Sequence, residues 1–212
     1  MKMDLTPQRT ITSQRTNKGQ AGLDEILSKS SRLMAVKGFS GTSMRDLAVA
    51  TDRSLAGLYH YLKTKEELLY QINYEGFSSL SRTALEIIGS ARSPDEKLHY
   101  FIANHIGYFA THLDEMKVMM FGTQELDSKH GTQIRALKAD YASSGRRIVG
   151  TYLRSQSRKV GDRLSPSAIA RKTYLLFGMM NWIFGWYSPK KHGSDKALAQ
   201  EIFDTFTLGV NP

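Results

Sequence analysis

Apolar residues in this chain recur at intervals of three and four and almost nowhere alternate, which points to helices as its regular elements. There is no Asn-Gly hairpin signal and no alternating β-branched run, so an all-α fold is expected. Leu23, Ile26, Leu27, Leu33, Met34 and Val36 mark a first helix, closed by Lys37-Gly38 as a glycine cap. Phe39 packs back onto it. Thr42 or Ser43 opens a short helix carrying Met44, Leu47 and Ala48, with Asp46 in its first turn. The polar run Thr51-Asp-Arg-Ser54 breaks that pattern, and Ser54 caps a third short helix ending near Tyr61. Thr64-Lys-Glu-Glu67 has the spacing of a capping box and starts a longer helix through Leu68, Leu69, Ile72 and Phe77. Further helices are expected at about 94–113, 115–128, 132–159, 165–187 and 194–209.

At 212 residues and 41% hydrophobic content, the chain can bury a core as one domain or as a small domain joined to a larger one. With no cysteine, it has no disulfide framework, thiolate metal site or cysteine nucleophile. Its six histidines form no HExxH pair, and Gly-rich phosphate loops and GxSxG elbows are absent. Neither an enzyme nor a metal site is expected. The first twenty residues lack the apolar core of a secretory signal, and no apolar run reaches the roughly 18 residues of a membrane span. A cytoplasmic protein without membrane attachment is the expectation.

The net charge of +9 favours a polyanionic partner. It is concentrated in two places. Residues 1–65 carry eleven Lys/Arg against five Asp/Glu, and residues 135–172 carry ten against two. Two basic regions call for two explanations.

Two short helices joined by a tight polar turn, after a supporting helix, have the layout of a helix-turn-helix. Phe39-Ser-Gly-Thr-Ser-Met-Arg-Asp-Leu-Ala48, followed by Ser54-Leu-Ala-Gly-Leu-Tyr-His-Tyr-Leu-Lys-Thr-Lys-Glu-Glu-Leu-Leu69, resembles the DNA-binding domain of the TetR family. One departure is Asp52-Arg53, where the family's turn carries Gly and then an apolar residue. Aspartate tolerates the left-handed conformation better than most residues, so the turn can still form. Arg53 cannot be buried as the apolar residue is, and either adds a phosphate contact or loosens the turn. The resemblance implies that the helix from Ser54 to Tyr61 enters the major groove of double-stranded operator DNA. Ser54, Leu55 and Gly57 would lie on its leading turn, and Tyr59, His60 and Tyr61 match positions that contact phosphates or base edges. Thr42, Ser43 and Arg45 would grip the backbone from the preceding helix, and Lys65 would meet a phosphate. One of the three aromatics belongs to the core. Arg9, Arg15 and Lys18 either follow a minor groove or form a solvated tail.

Beyond residue 70 the most informative stretch is Thr173-Tyr-Leu-Leu-Phe-Gly-Met-Met-Asn-Trp-Ile-Phe-Gly-Trp-Tyr187. A helix apolar nearly all round must be covered on more than one side. Gly178 and Gly185 would permit close approach of a partner, and Ile202, Phe203 and Phe206 on the last helix add a second apolar stripe. These residues are the expected interface of a homodimer, whose two-fold symmetry predicts a pseudo-palindromic operator. His105, Phe109, Met119, Met120, Phe121, Asn181, Trp182 and Trp186 either pack the core or line a ligand cavity, for which methionines are well suited. The stretch from Phe177 to Lys190 is also similar to the C-terminal region of TetR-type regulators that sense acyl-CoA thioesters. Arg147, Arg154 and Arg158 fall on one helical stripe beside Arg146. They form either a solvated face or a cradle for the phosphates of coenzyme A.

The expected organisation is a basic arm over 1–20, a helix-turn-helix domain over 21–67 and a ligand-binding and dimerisation domain over 68–212. The expected function is a ligand-responsive transcriptional regulator, a repressor, released from its operator by a small hydrophobic effector such as an acyl-CoA thioester, with no other cofactor. A regulator of efflux or detoxification that senses hydrophobic drugs is one alternative. A ligand-independent architectural DNA-binding protein is another.

Overall fold

The computed structural model describes residues 17–156 and 165–210, and among them every regular element is a helix. The helices are α1 (Asn17–Lys37), α2 (Met44–Ala50), α3 (Leu55–Tyr61), α4 (Lys65–Gly89) and α5 (Pro94–Thr111). They continue as α6 (Leu113–Phe121), α7 (Ser128–Gln156), α8 (Pro166–Asn181), the four-residue α9 (Pro189–His192) and α10 (Asp195–Val210). No helix among the described residues is long and apolar enough to cross a membrane.

Local capping sets most boundaries. α1 stops where Gly38, at φ +76°, returns its N–H to the Met34 carbonyl at 2.9 Å. At the start of α2, Ser43 and Asp46 form a reciprocal capping box, as Ser93 and Glu96 do for α5. The Thr64 hydroxyl accepts from the Glu67 N–H, while the Glu67 carboxylate takes the N–H of Lys63 at 2.7 Å.

The turn between α2 and α3 carries its departure at the position that matters. Asp52 has φ +54°, the one left-handed non-glycine residue among those described. Its N–H donates to the Val49 carbonyl at 3.1 Å and the Arg53 N–H to the Ala48 carbonyl at 2.9 Å, the two bonds of a Schellman motif with aspartate in the glycine place. Asp52→Gly is expected to stabilise the fold by about 0.5–1 kcal/mol and Asp52→Val to destabilise it by about 1–2 kcal/mol, read from urea unfolding midpoints.

α1, α2 and α3 form a small bundle over Ile26, Leu47, Leu58 and Leu62. α4 begins in that bundle and then runs along α7, so the boundary expected at residues 67–68 falls within the first turn of a continuous helix. α5 packs between α7 and α10, and α6 joins the larger unit to α1.

Three expectations are corrected. α1 begins at Asn17, inside the expected arm, while Arg9, Arg15, the side chain of Lys18 and all of Arg158 lie outside the described residues. Lys129-His-Gly131 is not a turn but the opening of α7, because Asp127 caps it by accepting the His130 N–H at 2.7 Å. The helix expected over 165–187 ends at Asn181 and tightens into a 3₁₀ turn, Trp182–Gly185. That tightening brings Ile183 and Tyr187 into the core, and the Tyr187 hydroxyl donates to the Gly193 carbonyl at 3.0 Å. It also separates Gly178 from Gly185 and turns Trp182 and Trp186 outward, 59% and 47% exposed.

Candidate DNA-binding face and cavity

Ser54 caps α3 by accepting the Gly57 N–H at 3.0 Å, and Leu58 anchors the helix in the bundle. The outer face then presents Ser54, Ala56, Tyr59, His60 and the following Lys63 to solvent, with Leu55 and Gly57 half-buried at its edge. Arg45 is exposed on α2.

Several residues expected at this face are engaged elsewhere. Thr42 is 2% exposed, and its hydroxyl donates to the Gly38 carbonyl at 2.7 Å. Ser43 is exposed, but its hydroxyl donates to the Asp46 carboxylate at 2.6 Å. That hydroxyl, the Ser43 N–H and Lys37 hold the Asp46 pKa down to about 2. Lys65 donates to the Phe39 carbonyl at 2.8 Å and lies 4.3 Å from the centre of the Phe39 ring, tying α4 to the α1–α2 loop. Arg53 turns back over the Tyr61 ring, 5.0 Å from its centre, and reaches Glu25 at 3.5 Å. The aromatic that belongs to the structure is therefore Tyr61, which also faces Gly22 so closely that a Cβ there would come within 2.7 Å of its hydroxyl.

In the larger unit, α4, α5, α6, α7 and α8 enclose a half-open cavity of about 200 Å³. Five of the residues expected to line it do so: His105, Phe109, Met119, Met120 and Asn181. Phe121 does not; it faces a separate groove between α1 and α6 and meets Phe184 edge to face at 5.6 Å. Trp182 and Trp186 lie outside the cavity as well. Arg147 and Arg154 are exposed and Arg146 half-buried on α7, none of them in the cavity wall.

Residues with no distinctive motif complete the lining: Phe77, Met116, Lys138, Tyr141, Ala142, Tyr174 and Phe177. Lys138 and Tyr141 are three apart on α7, so they share one helix face. Lys138 donates to the Thr123 hydroxyl at 2.8 Å, and Thr123 donates to the Met119 carbonyl at 2.8 Å, which fastens the end of α6 to α7. Burial pushes the Lys138 pKa below its usual value. His105 is buried, with Nδ1 3.0 Å from the Tyr141 hydroxyl. Desolvation drives its pKa down to about 3, an effect that nearby Asn181 only partly offsets. The imidazole is therefore neutral at physiological pH.

α6 connects the cavity to the smaller unit. Met116, Met119 and Met120 line the cavity, while Val118 and Phe121 of the same helix face Met34, Ala35 and Phe39. Gly76 on α4 is packed so closely that a Cβ there would lie 2.8 Å from Met119. The end of the Met119 side chain therefore packs directly on the helix that enters the helix-turn-helix unit.

Of the residues expected at a dimer interface, Gly178 and Gly185 are exposed. Ile202 and Phe206 instead pack in the core of the same chain, and Phe203 is half-buried with its ring against His99 at 5.3 Å. The exposed face of α8 and the turn after it carries Tyr174, Leu175, Gly178 and Trp182.

Comparison with known proteins agrees with this architecture. The family model for the tetracyclin repressor-like C-terminal domain matches residues 91–210, and the model for bacterial regulatory proteins of the tetR family matches residues 26–72. The probable HTH-type transcriptional regulator YttP of Bacillus subtilis (strain 168) is 31% identical over 121 residues, 56% of each chain, so the match spans about half of that curated relative. PfmR, a TetR family transcriptional regulator from Thermus thermophilus, is 26% identical with a TM-score of 0.73 over 85% of this chain and 96% of its own. AibR, solved in complex with isovaleryl coenzyme A and operator DNA, has the same fold at 24% identity and a TM-score of 0.70, over 87% of this chain and 97% of its own. One model covers most of the small helix-turn-helix bundle and the other more than half of the chain, with every cavity-lining residue except Phe77: the chain belongs to the TetR family of bacterial regulatory proteins.

Proposed function

We propose that the protein is a ligand-responsive transcriptional repressor that binds a pseudo-palindromic operator as a homodimer. A small hydrophobic effector, an acyl-CoA thioester, enters the cavity and releases it. The observation that carries this reading is the double role of α6, which walls the cavity on one side and packs against α1 on the other. An effector that moves α6 and Met119 changes the support of α1 and α4, and through them the placement of α3. A coupling of roughly 1–3 kcal/mol changes operator affinity about 5- to 150-fold.

Coenzyme A cannot fit into about 200 Å³, so only the acyl group would enter and the nucleotide would lie outside. Arg146 is one helical turn beyond the cavity residue Ala142, and Arg147 and Arg154 extend a basic stripe along α7. Reversing Arg147 and Arg154 to glutamate is expected to weaken the acyl-CoA response at least about tenfold with operator affinity unchanged. Equal loss of both would remove the arginines from effector binding. The direct test is a gel shift on DNA upstream of the protein's own gene, titrated with acyl-CoAs of several chain lengths. Failure of every acyl-CoA to release DNA would defeat the effector class and leave the operator reading intact.

A second reading keeps the regulator and makes the effector a hydrophobic drug. It is favoured by the nearly all-apolar cavity wall and by the absence of the arginines from it. A ligand-independent architectural role is disfavoured by the cavity itself.

A further inference from the structure

His105 has one hydrogen-bonding atom that the protein leaves unused. The imidazole lines the cavity between Tyr141 and Asn181, and its Nε2 is buried with no hydrogen-bond partner. The Asn181 amide lies close enough to the ring to raise its pKa as a hydrogen-bonding neighbour, but no contact at Nε2 meets hydrogen-bond geometry, so the nitrogen is left without a well-formed partner. Counting donors assigns the tautomer. If Nδ1 carried the proton, the Tyr141 hydroxyl would accept it and its own buried proton would have nowhere to go, while Nε2 would be left as a bare acceptor. If Tyr141 donates to Nδ1, the phenol is satisfied and a single group, Nε2–H, remains open. The second arrangement leaves fewer buried polar groups unmet. Buried donors without partners are rare, and one at the wall of a ligand-sized cavity fits an acceptor brought by the ligand.

The dimensions restrict the rest of that ligand. A cavity of about 200 Å³ is little larger than the roughly 150 Å³ apolar cavity that holds benzene, and smaller than the roughly 300–1,000 Å³ sites of drug-sized molecules. Phe77, Phe109, Met116, Met119 and Phe177 supply apolar walls, and the methionines can repack around a ring or a branched chain.

We propose that the cavity selects a compact carbonyl compound: an apolar body of one ring or a short branched chain, whose carbonyl oxygen accepts a hydrogen bond from His105 Nε2–H, with Tyr141 fixing the tautomer. This rests on the cavity being the effector site. The carbonyl can belong to a free acid or to a thioester.

The test uses the full-length protein and a matched pair of probes, acetophenone and ethylbenzene, which share their apolar body and differ by the carbonyl oxygen. Calorimetric titration is expected to show acetophenone bound about tenfold more tightly by the natural protein. His105→Phe should erase that preference while still binding ethylbenzene. Tyr141→Phe, which keeps the ring and removes the group that sets the tautomer, should reduce it. Equal binding of both probes by the natural protein, or a preference retained in both variants, would overturn the proposal. If neither probe binds but a long-chain acyl-CoA releases the operator, the effector reading stands and the compact-carbonyl proposal falls; if nothing binds, both fall. Isovalerate and isovaleryl-CoA, compared for operator release, separate the acid from the thioester.

Discussion

Replacing Tyr59 and His60 together by alanine is expected to lower operator affinity by about a hundredfold or more while leaving the unfolding midpoint nearly unchanged. Both side chains stand on the outer face of α3, Tyr59 45% exposed, whereas the helix is held by Leu58 and Leu62 on its other face. Neither carries core packing, so truncation should cost little stability. A side chain that reads a base edge contributes about 1–3 kcal/mol of discrimination, so losing two such contacts accounts for an effect of this size. Tyr61→Ala is the contrasting variant. Its ring packs beside Gly22 and under Arg53, so it should lower the unfolding midpoint first and DNA affinity only as a consequence. Fluorescence anisotropy with operator DNA at several salt concentrations, alongside thermal melts, checks both. Unchanged affinity in the double variant would move the DNA contact away from α3.

What could be read from the sequence was what local chemistry decides. Gly38, Ser54 and Thr64 set helix ends through bonds spanning a few residues, and each acts as a cap in the structure, while of the two candidates Thr42 and Ser43 it is Ser43 that caps α2, in a box with Asp46. The end of α8 was illegible because nothing local stops an apolar helix at Asn181. The break arises where Ile183 and Tyr187 must both reach a core built by other helices. Burial likewise reassigned polar side chains that looked available. Thr42 and Arg53 resemble surface groups in sequence, yet one closes the α1–α2 loop and the other folds over Tyr61.

The cavity divides in the same way. His105 and Asn181 stand out in the sequence as polar residues in apolar helices, Met119 and Met120 as adjacent methionines and Phe109 as an aromatic one turn from His105, and all five line it. Lys138 and Tyr141 did not stand out, because in the strongly basic α7 a lysine reads as one more solvated cation. Only the packing of α7 along α4 shows which of its cations turns inward. The spacing of Lys138 and Tyr141 on one face was the single available signal, and it has no meaning until the neighbouring helix is known.

Leu175→Glu combined with Trp182→Glu is expected to convert the proposed homodimer to a monomer of about 24 kDa, and operator affinity should fall by at least a hundredfold with it. The exposed face of α8 and the turn after it carries large apolar groups, Leu175 and Trp182, that take no part in the cavity or the core. Leu175 is 67% exposed, and Tyr174 and Trp182 are also largely open to solvent. Gly178 lies on the same face, where an added Cβ would meet nothing within 4 Å. Glycine inside a helix is about 1 kcal/mol less favourable than alanine, so an unhindered glycine is retained at a cost that close approach of a second helix would offset. A two-fold interface brings each substituted position near the same surface of its partner, so the carboxylates would be buried with like charges facing them. Each monomer would then hold only one half-site and lose the gain of binding two at once. Ile202→Glu is the necessary comparison, since Ile202 is already buried within its own chain and its loss should unfold the protein rather than dissociate it. Light scattering coupled to size exclusion distinguishes the cases: a folded double variant that still runs as a dimer would exclude this face of α8 from the interface.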